Sequence, residues 1–356
     1  MTEGVKRVAV VPGDGIGPEV IEEAVRLLER LRETHGVRVE LKHFDWGADK
    51  FLKEGVGLPE GALEMLSDEF DAVLAGAFGD PRVPSNQHAE EILLGMRRGL
   101  DLYINLRPVR LLHERLTPLK GRAVGDVDFV VFRENTEGSY TGMGGFLKKG
   151  TPDEVATQEE VNTRKGVERI CVAAFEYARA RGRRKVTMCD KSNVQRFGGD
   201  LWQRVFREVA ARYDGIEANH QYVDAAAMFM ILNPAQYEVV VTNNLFGDIL
   251  TDLGAALQGG LGLAASGNIH PGRVSLFEPV HGSAPPLAGK REANPAGAIL
   301  STALMLEYLG HAEAAAAVER AVRESIAAGE TTRDLGGPLS TPEAGEKIIG
   351  RVNGKS

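Results

Sequence analysis

The chain has 356 residues, of which 43% are hydrophobic and 26% are charged, a composition typical of a folded protein large enough for two domains. Its net charge of −8 argues against nucleic acid as a partner, and no run of residues is apolar and long enough to span a membrane. Two cysteines, Cys171 and Cys189, exclude a disulfide framework and a cysteine zinc site. No apolar signal segment follows the first residue, so the sequence predicts a soluble cytoplasmic protein.

Strands and helices alternate along the first part of the chain. Residues 7–12 are predicted to form a buried strand, the turn PGDGIGP follows over 12–18, and a helical pattern runs to about Leu31. Further strands are predicted at 37–44 and 72–75, and this alternation indicates a parallel α/β sheet. The turn matches neither GxGxxG nor a Walker A loop. It is therefore either a tight strand-to-helix turn or a place where backbone closely approaches a ligand.

An unusual stripe follows in the segment EEILLGMRRGLDLYINLR. On an α-helix the stripe consists of Glu90, Leu93, Leu94 and Arg97. An acid, two leucines and an arginine are odd for a core face, and they suit a pocket for an apolar branch and a carboxylate. Arg107 and Arg133 add two more guanidinium groups, which bind carboxylates in bidentate fashion. Each arginine taken alone is more often a surface ion pair.

The second part of the chain repeats the α/β pattern around a glycine-rich excursion. Residues 127–132 form a predicted strand, and an extended arm is predicted at about 139–160. The elements predicted after it are helices at 163–180 and 199–212 and strands at 185–189 and 237–242. From Ala293 onward the pattern is mostly helical. Because no linker separates two halves, the chain is predicted to leave a first domain and return to it.

The stretch VTNNLFGDILTD holds the strongest candidate site. Asn243 and Asn244 are suited to cap a helix, on which Asp248 and Asp252 lie on one face. An isolated pair of this kind is more often a solvated face, but among apolar neighbours it suits a hard divalent cation.

Three further polar residues are candidates for acid–base chemistry or metal binding. They are Tyr140, Lys191 and Asp224. A lysine or tyrosine beside a cation and several arginines can have its proton affinity tuned, although each residue taken singly is more often structural. His281, in FEPVHGSAP, is followed by small residues that permit close contact with a ligand.

Taken together, these motifs resemble the β-decarboxylating dehydrogenases, a family that includes isopropylmalate, isocitrate, homoisocitrate and tartrate/D-malate dehydrogenases. The resemblance covers nearly the whole chain through GDGIGPEV, RENTEG, DKSN, NLFGDILTDL and EPVHGSAP with its later ANP. It implies an isopropylmalate dehydrogenase-like α/β fold, with two domains flanking a cleft. A nucleotide-binding domain is expected at 1–101 and 258–356, and a dimerisation and substrate domain at 102–257, whose arm clasps the second subunit.

The resemblance also implies roles for individual residues in a homodimer with shared active sites. Asp248 and Asp252 would bind Mg²⁺ or Mn²⁺ together with Asp224 from the other subunit. Lys191, also from the other subunit, would be the general base and Tyr140 the general acid. The substrate-binding residues would be Glu90, Leu93, Leu94, Arg97, Arg107, Arg133 and, from the other subunit, Val194. The cofactor-binding residues would be His281, Gly282, Ser283, Ala284, Pro285 and Asn294.

The ExxLLxxR pattern of residues 90–97 resembles that of the isopropylmalate enzymes. This resemblance implies oxidative decarboxylation of 3-isopropylmalate to 4-methyl-2-oxopentanoate and CO₂ in leucine biosynthesis. The expected partner is a small-molecule substrate, with no membrane and no nucleic acid. A tartrate/D-malate dehydrogenase is the main alternative, because RENTEGSYTGMGG also resembles that branch, and a homoisocitrate or isocitrate dehydrogenase is a weaker one. A non-catalytic subunit is disfavoured, because every expected polar residue is present. NAD is the expected cofactor, since the Lys-Tyr of NADP-using members is missing, although Pro286 replaces the aspartate of NAD-using members.

Overall fold

The computed structural model describes residues 5–352. The strands are β1 (Lys6–Gly13), β2 (Val39–His43), β3 (Ala72–Ala77), β4 (Ile104–Arg110), β5 (Asp128–Glu134), β6 (Gly144–Leu147), β7 (Val155–Gln158), β8 (Lys185–Asp190), β9 (Glu217–Tyr222), β10 (Val239–Thr242), β11 (Ala265–Ile269) and β12 (Ser275–Pro279). The helices are α1 (Gly17–His35), α2 (Ala48–Glu54), α3 (Ala62–Glu69), α4 (Gln87–Ala89), α5 (Gly95–Gly99), α6 (Arg164–Ala180), α7 (Arg196–Ala210), α8 (Val223–Leu232), α9 (Asn244–Gln258), α10 (Ala296–Tyr308), α11 (Ala312–Ala327) and α12 (Thr341–Arg351). The predicted α/β class is confirmed, and the predicted strands and helices lie within a few residues of these bounds.

The chain divides into two compact units. Unit 1 comprises the described residues up to Leu102, then Arg110–Val124, then those from Ala255 onward; unit 2 comprises Tyr103–Val109 and Gly125–Gly254. The segment Arg110–Val124 packs in unit 1, although the sequence pattern assigned it to the second domain. The functions expected of the two domains, nucleotide binding and dimerisation, stay predictions.

Unit 1 is a sheet with helices on both faces. Its strands lie in the order β2-β1-β3-β12-β11, parallel except for the antiparallel pair β11 and β12. Alternate residues of β1 point to opposite faces. Val8 and Val10 pack in a cluster with α1, α10 and α11, whereas Ala9 and Val11 pack in another cluster with α3 and α5. Because both faces are buried, β1 reads as a continuous apolar run instead of an alternating one.

Unit 2 repeats the layered arrangement with strands in the order β4-β5-β10-β8-β9, and β5, β10, β8 and β9 are parallel. The β-branched run of β10 is fully buried. β6 and β7 form a separate antiparallel hairpin in which every residue is exposed, within the predicted arm. No helix in the described part of the chain is long and apolar enough to cross a membrane.

Candidate active site

The start of α9 organises the site in unit 2. The β-branched strand β10 ends at Thr242, and the Oδ1 atom of Asn243 accepts a hydrogen bond from the backbone N–H of Phe246 at 2.9 Å. This bond occupies a free donor of the first helical turn, as the sequence predicted for a capping asparagine. The helix therefore starts at the carboxyl edge of the sheet, with Asp248 and Asp252 one turn apart.

Two arginines offset the repulsion between Asp248 and Asp252. The Nη1 group of Arg133 donates to Oδ1 of Asp248 in a very short contact. The guanidinium of Arg107 lies 3.6 Å from Asp248 and 3.9 Å from Asp252. The two carboxylates are thus adjacent to two nearly buried cations, and Asp252 keeps 63% of its side-chain surface exposed. The carboxylate of Asp248 is consequently held in place, whereas that of Asp252 remains accessible.

Neighbouring residues fix both guanidinium groups. Oδ1 of Asn244 accepts hydrogen bonds from Nε and Nη2 of Arg133 at 2.9 and 2.7 Å. Nη1 of Arg107 donates to Oγ1 of Thr251 at 2.6 Å. Gly247 packs directly against the stem of Arg133, since an added Cβ would lie 2.5 Å from Cγ of that arginine. The planes of both guanidinium groups are therefore set by α9 itself.

Replacing Gly247 by alanine is expected to lower the free energy of unfolding by about 1–3 kcal/mol, because the new methyl group must displace the buried stem of Arg133. Urea unfolding would measure the change. Gly350→Ala is a matched control, because Gly350 also lies in a helix but a Cβ there meets nothing within 4 Å. Equal unfolding free energies for the two variants would contradict the tight packing at Gly247.

Tyr140 joins the same cluster. Its hydroxyl donates to Oδ2 of Asp248 at 2.9 Å, and the guanidinium carbon of Arg133 lies 5.2 Å from its ring centroid. Partial burial and the charge of Asp248 raise the pKa of Tyr140, and Arg133 opposes them only partly. The phenol therefore stays protonated at neutral pH and is able to donate a proton.

The two aspartates differ in their acidity. Partial burial alone would raise the pKa of Asp248, but the charges of Arg133 and Arg107 outweigh burial and hold that pKa below its ordinary value. Burial raises the pKa of Asp252, with the charge of Asp248 adding to the increase and Arg107 opposing it. Ionisation of Asp252 is thus less favourable in the folded chain than in water, and a nearby cation would favour the ionised form.

Lys191 and Asp224 form a second pair in unit 2. β8 and β9 are parallel neighbours, with Asp190 opposite Tyr222, so their carboxyl ends bring the next residues together. Nζ of Lys191 lies 2.7 Å from Oδ1 of Asp224. The hydrogen bond from this ammonium group holds the pKa of Asp224 below its usual range. Val194, on the turn that follows Lys191, is exposed.

The carboxylates suit a metal ion only in part. Asp248 and Asp252 supply the oxygen donors that Mg²⁺ and Mn²⁺ prefer. Within residues 5–352 of one chain, however, no group of three or more His, Cys, Asp or Glu residues is arranged to hold a metal ion. One chain therefore contributes two carboxylates at this place, and completing the site needs water, substrate or another chain.

The candidate substrate segment of unit 1 departs from the regular α-helix that the stripe assumed. Residues Glu90–Leu94 form a π-helical turn between α4 and α5. Ile92 is fully buried in the core, whereas Leu93 and Leu94 are half-buried and Glu90 is exposed. In this wider turn Ile92 faces the core, whereas Leu93 and Leu94 of the predicted stripe stay partly accessible. Such π turns are frequent at functional sites.

Arg97 ends this segment in a buried ion pair. Its Nη2 donates to Oε1 of Glu278 at 2.9 Å, and the same oxygen accepts from Nδ2 of Asn268 at 2.8 Å. Both charged side chains are almost completely buried, so removing either one would leave an uncompensated charge. Glu278 thereby fixes the orientation of the guanidinium.

The loop with the HGSAP sequence follows β12 in unit 1. Ser283 accepts a hydrogen bond from the N–H of Ile16 at 2.9 Å, and a Cβ on Gly15 would lie 2.0 Å from the Ser283 carbonyl oxygen. The glycine turn thus approaches protein backbone, which supports the tight-turn alternative for PGDGIGP. Ala284 adopts the left-handed region with φ of 40°, and Gly282 faces open space.

His281 and Asn294 have different roles beside this loop. Burial lowers the pKa of His281, so its imidazole is neutral at pH 7. Its Nδ1 contacts the carbonyl of Gly282, while its buried Nε2 has no hydrogen-bond partner within residues 5–352. That atom fits a hydrogen bond to a bound cofactor. Asn294 already bonds Asp334 at 3.0 Å and the N–H of Ala296 at 3.0 Å.

A cavity of about 610 Å³ lies at the carboxyl ends of β1, β2 and β3 and borders Pro285. Its charged lining consists of Asp14, Asp45, Asp49, Asp80 and Arg82. Ligands of parallel α/β sheets commonly bind outside the carboxyl ends of the strands. The excess of carboxylates makes the lining better suited to hydroxyl groups than to phosphates.

Sequence reasoning did not identify several supporting residues as parts of the site. They are Asn244, Gly247, Thr251 and Glu278. A signal was available for Thr251, which lies on the same helix between the two aspartates. Nothing local in the sequence could reveal that Glu278 meets Arg97, because the two residues are far apart in the chain.

Comparisons with known proteins agree with this geometry. A family model described as isocitrate/isopropylmalate dehydrogenase matches residues 7–348. The 3-isopropylmalate dehydrogenase of Thermobifida fusca is 49% identical over 97% of each chain, and that of Mycobacterium tuberculosis is 48% identical over 96% of this chain and 98% of its own. The crystal structure of isocitrate dehydrogenase from Methylococcus capsulatus superposes with a TM-score of 0.89 at 39% identity, covering 98% of this chain and 99% of the other.

A crystal structure of the TT0538 protein from Thermus thermophilus superposes with a TM-score of 0.87 at 38% identity, covering 100% of this chain and 70% of the other. The chain belongs to the isocitrate/isopropylmalate dehydrogenase family. The predicted family resemblance is thereby confirmed.

Proposed function

We propose that this chain catalyses the oxidative decarboxylation of 3-isopropylmalate to 4-methyl-2-oxopentanoate and CO₂, with hydride transfer to NAD, in leucine biosynthesis. The observation that carries the proposal is the cluster of Arg107, Arg133, Tyr140, Asp248 and Asp252, which combines carboxylate-binding cations, a proton donor and metal-binding oxygens. The relatives named 3-isopropylmalate dehydrogenase support the choice of substrate.

The arginines would bind the two carboxylates of the substrate. Arg107 and Arg133 are buried, and their planes are fixed by Thr251 and Asn244, so little side-chain freedom is lost when a carboxylate binds. Arg97 is held by Glu278 in the same way. Preorganised donors of this kind stabilise charge without reorganising during the reaction.

Two residues would move protons. Lys191 removes the hydroxyl proton of the substrate as hydride leaves the same carbon, and Tyr140 returns a proton to the carbon that loses CO₂. The raised pKa of Tyr140 supports its role as an acid, because the phenol is protonated before the reaction. A divalent cation bound by Asp248 and Asp252 would supply Lewis-acid polarisation of the substrate oxygens.

Selection of the substrate side chain is assigned to the π-helical segment. Leu93 and Leu94 are half-buried and apolar, as an isopropyl group requires. An apolar pocket discriminates by only about 1–3 kcal/mol per methylene, so D-malate remains the second candidate.

A substrate panel tests the proposal. We expect kcat/KM measured with Mg²⁺ to be highest for 3-isopropylmalate and at least about tenfold lower for D-malate, tartrate, isocitrate and homoisocitrate. A preference for D-malate would overturn the leucine-pathway assignment and favour the alternative. The absence of turnover with every member of the panel would overturn the proposed function as a whole.

NAD is proposed as the cofactor, held by the loop of His281, Gly282, Ser283, Ala284 and Pro285 with Asn294. The buried Nε2 atom of His281, for which residues 5–352 offer no partner, supports a ligand at this loop. Pro286 offers no carboxylate for a ribose hydroxyl, so the preference for NAD over NADP needs its own measurement. Comparing the dissociation constants of NADH and NADPH would decide it.

A homodimer with shared active sites is proposed from exposed apolar surface in unit 2. α8 is apolar almost throughout, yet only Ala226 and Met230 are buried. Phe197 of α7 is 94% exposed. A helix that is apolar on all sides is normally buried, and a second copy of the chain would cover these faces. The exposed Phe146 and Leu147 of the β6–β7 hairpin support a clasp in the same assembly.

The pair formed by Lys191 and Asp224 is consistent with a homodimer. Within residues 5–352, one chain places only two carboxylates, Asp248 and Asp252, at the proposed metal site, whereas Lys191 and Asp224 contact each other. We assign Lys191, Asp224 and the exposed Val194 to the active site of the other subunit. A cytoplasmic location is proposed from Cys171 and Cys189, which are buried and unpaired as in reduced proteins.

Mg²⁺ or Mn²⁺ is expected to raise the melting temperature of the protein, and EDTA is expected to lower it and to weaken the dimer. Binding at about 100 times the dissociation constant would add about 2.7 kcal/mol to the stability. Asp252→Asn should abolish this gain. It should not destabilise the metal-free protein at neutral pH, because the raised pKa of Asp252 means that its ionisation opposes folding there.

Calorimetry and sedimentation with and without metal would measure these effects. Asp200→Asn is a matched control, because the Asp200 side chain is also on a helix and also 63% exposed. An unchanged melting temperature and dimer mass after complete metal removal would contradict the assigned metal site.

A further inference from the structure

The glycine turn PGDGIGP has no part in the proposed chemistry, yet it contains a buried charge. Asp14 is 8% exposed. Its carboxylate accepts hydrogen bonds from the N–H of Ala48 at 2.7 Å and from the N–H of Gly79 at 2.8 Å. Ala48 lies beyond β2 and Gly79 lies just beyond β3. One side chain therefore ties together the carboxyl ends of three neighbouring strands.

The same carboxylate has a third partner. Nε2 of His88 lies 2.8 Å from Oδ2 of Asp14, and His88 is completely buried. The other ring nitrogen, Nδ1, has no hydrogen-bond partner in the part of the chain that the structure describes. The ring of Phe51 lies beside the imidazole, with 5.9 Å between the centroids. The polar contact that fixes His88 is thus its bond to Asp14.

His88 lies at the start of the substrate segment. It belongs to α4, and the π turn begins at Glu90. At the other end of the segment Arg97 is fixed by Glu278. In between, Glu91 accepts a hydrogen bond from the N–H of Gly57 at 2.9 Å. The π turn is therefore held between two buried side-chain contacts, His88 with Asp14 at one end and Arg97 with Glu278 at the other.

We propose that His88 is a positioning residue for substrate recognition, acting through its hydrogen bond to Asp14. The bond fixes the start of the π turn and thereby the places of Glu90, Leu93 and Leu94. His88 itself does not touch the substrate. This proposal rests on the proposed function, because it assigns those three side chains to the substrate. A displacement of about 1 Å at such residues is enough to weaken binding severalfold or more.

The test compares glutamine and asparagine at position 88, whose amide side chains differ only in length. The amide nitrogen of glutamine lies at the level of Nε2 of histidine, and that of asparagine lies at the level of Nδ1. His88→Gln keeps a donor toward Asp14, whereas His88→Asn withdraws it. We expect His88→Asn to raise KM for 3-isopropylmalate about tenfold while kcat changes by less than about threefold, and His88→Gln to remain close to the unsubstituted enzyme.

Two further measurements separate positioning from general damage. NADH binding, followed by fluorescence in the absence of substrate, should be equal in both variants, and urea unfolding reports any loss of stability. An unchanged KM in a folded but less stable His88→Asn enzyme would show a purely structural role. A raised KM in His88→Gln would equally overturn the proposal.

If His88→Asn does not fold, Asp14→Ala provides the comparison from the other side of the contact, because it removes the carboxylate that Nε2 of His88 contacts. An unchanged KM in that variant overturns the positioning role. The unsubstituted enzyme is assayed first. Its failure to oxidise 3-isopropylmalate contradicts the proposed function, whereas normal turnover with unaltered KM in the variants contradicts the role of His88 alone.

Discussion

Replacing Lys191 by alanine is expected to lower kcat about a thousandfold, within the range that a positioned general base contributes. The Nζ atom of Lys191 is held 2.7 Å from Asp224 at the carboxyl edge of the sheet, so its place is set by two neighbouring strands. NADH formation at saturating 3-isopropylmalate and metal would measure the loss. Dissociation constants for substrate should change much less than kcat, because the lysine acts on the reacting hydroxyl.

Lys185 provides a matched control for this prediction. It lies at the opposite end of β8, its side chain is 23% exposed against 26% for Lys191, and it pairs with Glu217 of β9 at 3.3 Å. Lys185→Ala removes a similar lysine–carboxylate pair from the same two strands but leaves the site intact. A wild-type rate in Lys191→Ala, or equal losses in both variants, would show that Lys191 is not the base.

Mixing two inactive variants is expected to restore activity if the active site is shared between subunits. Asp252→Asn removes an oxygen of the proposed metal site, and Lys191→Ala removes the proposed base; each homodimer should retain less than about 1% of the wild-type rate. In a heterodimer of the two variants, one of the two sites would combine an intact Asp252 with an intact Lys191. Random pairing would then restore about a quarter of the wild-type sites.

Co-expression of the two variants with different affinity tags would supply the mixed dimer for assay. Activity that stays at the level of the separate variants, in a preparation shown to contain heterodimers, would mean that Asp252 and Lys191 serve the same site from one chain. Pairing Asp252→Asn with Lys185→Ala is the control. Its heterodimer contains an unaltered Lys191 in every chain, so it should be active whichever arrangement holds.

Local signals were sufficient for much of the chain. The apolar run of β1, the capping residue Asn243 and the one-turn spacing of Asp248 and Asp252 depend on residues close in sequence, and the structure has each of them as predicted. The polar residue types also indicated the chemistry, because hard oxygen donors and planar guanidinium groups suit cations and carboxylates, respectively.

Other features depended on contacts between distant residues. The stripe from Glu90 to Arg97 has α-helical spacing in the sequence, but the structure forms a π turn there, a rare state that periodicity does not reveal. The partner of Arg97, Glu278, and the partner of Asp14, His88, are brought close only when strands assemble into a sheet. No pattern within a short window could identify either pair.

The sequence by itself determined the alternation of strands and helices, the glycine turn and the residue types available for the site, because these follow from local periodicity and side-chain chemistry. Tertiary structure alone decided the acidity of those residues. Burial and the charges of Arg107 and Arg133 shift the pKa values of Asp248 and Asp252 in opposite directions, although the same residue type occupies both positions on one helix face. A pKa depends on the charges and solvent around a group, and folding sets both.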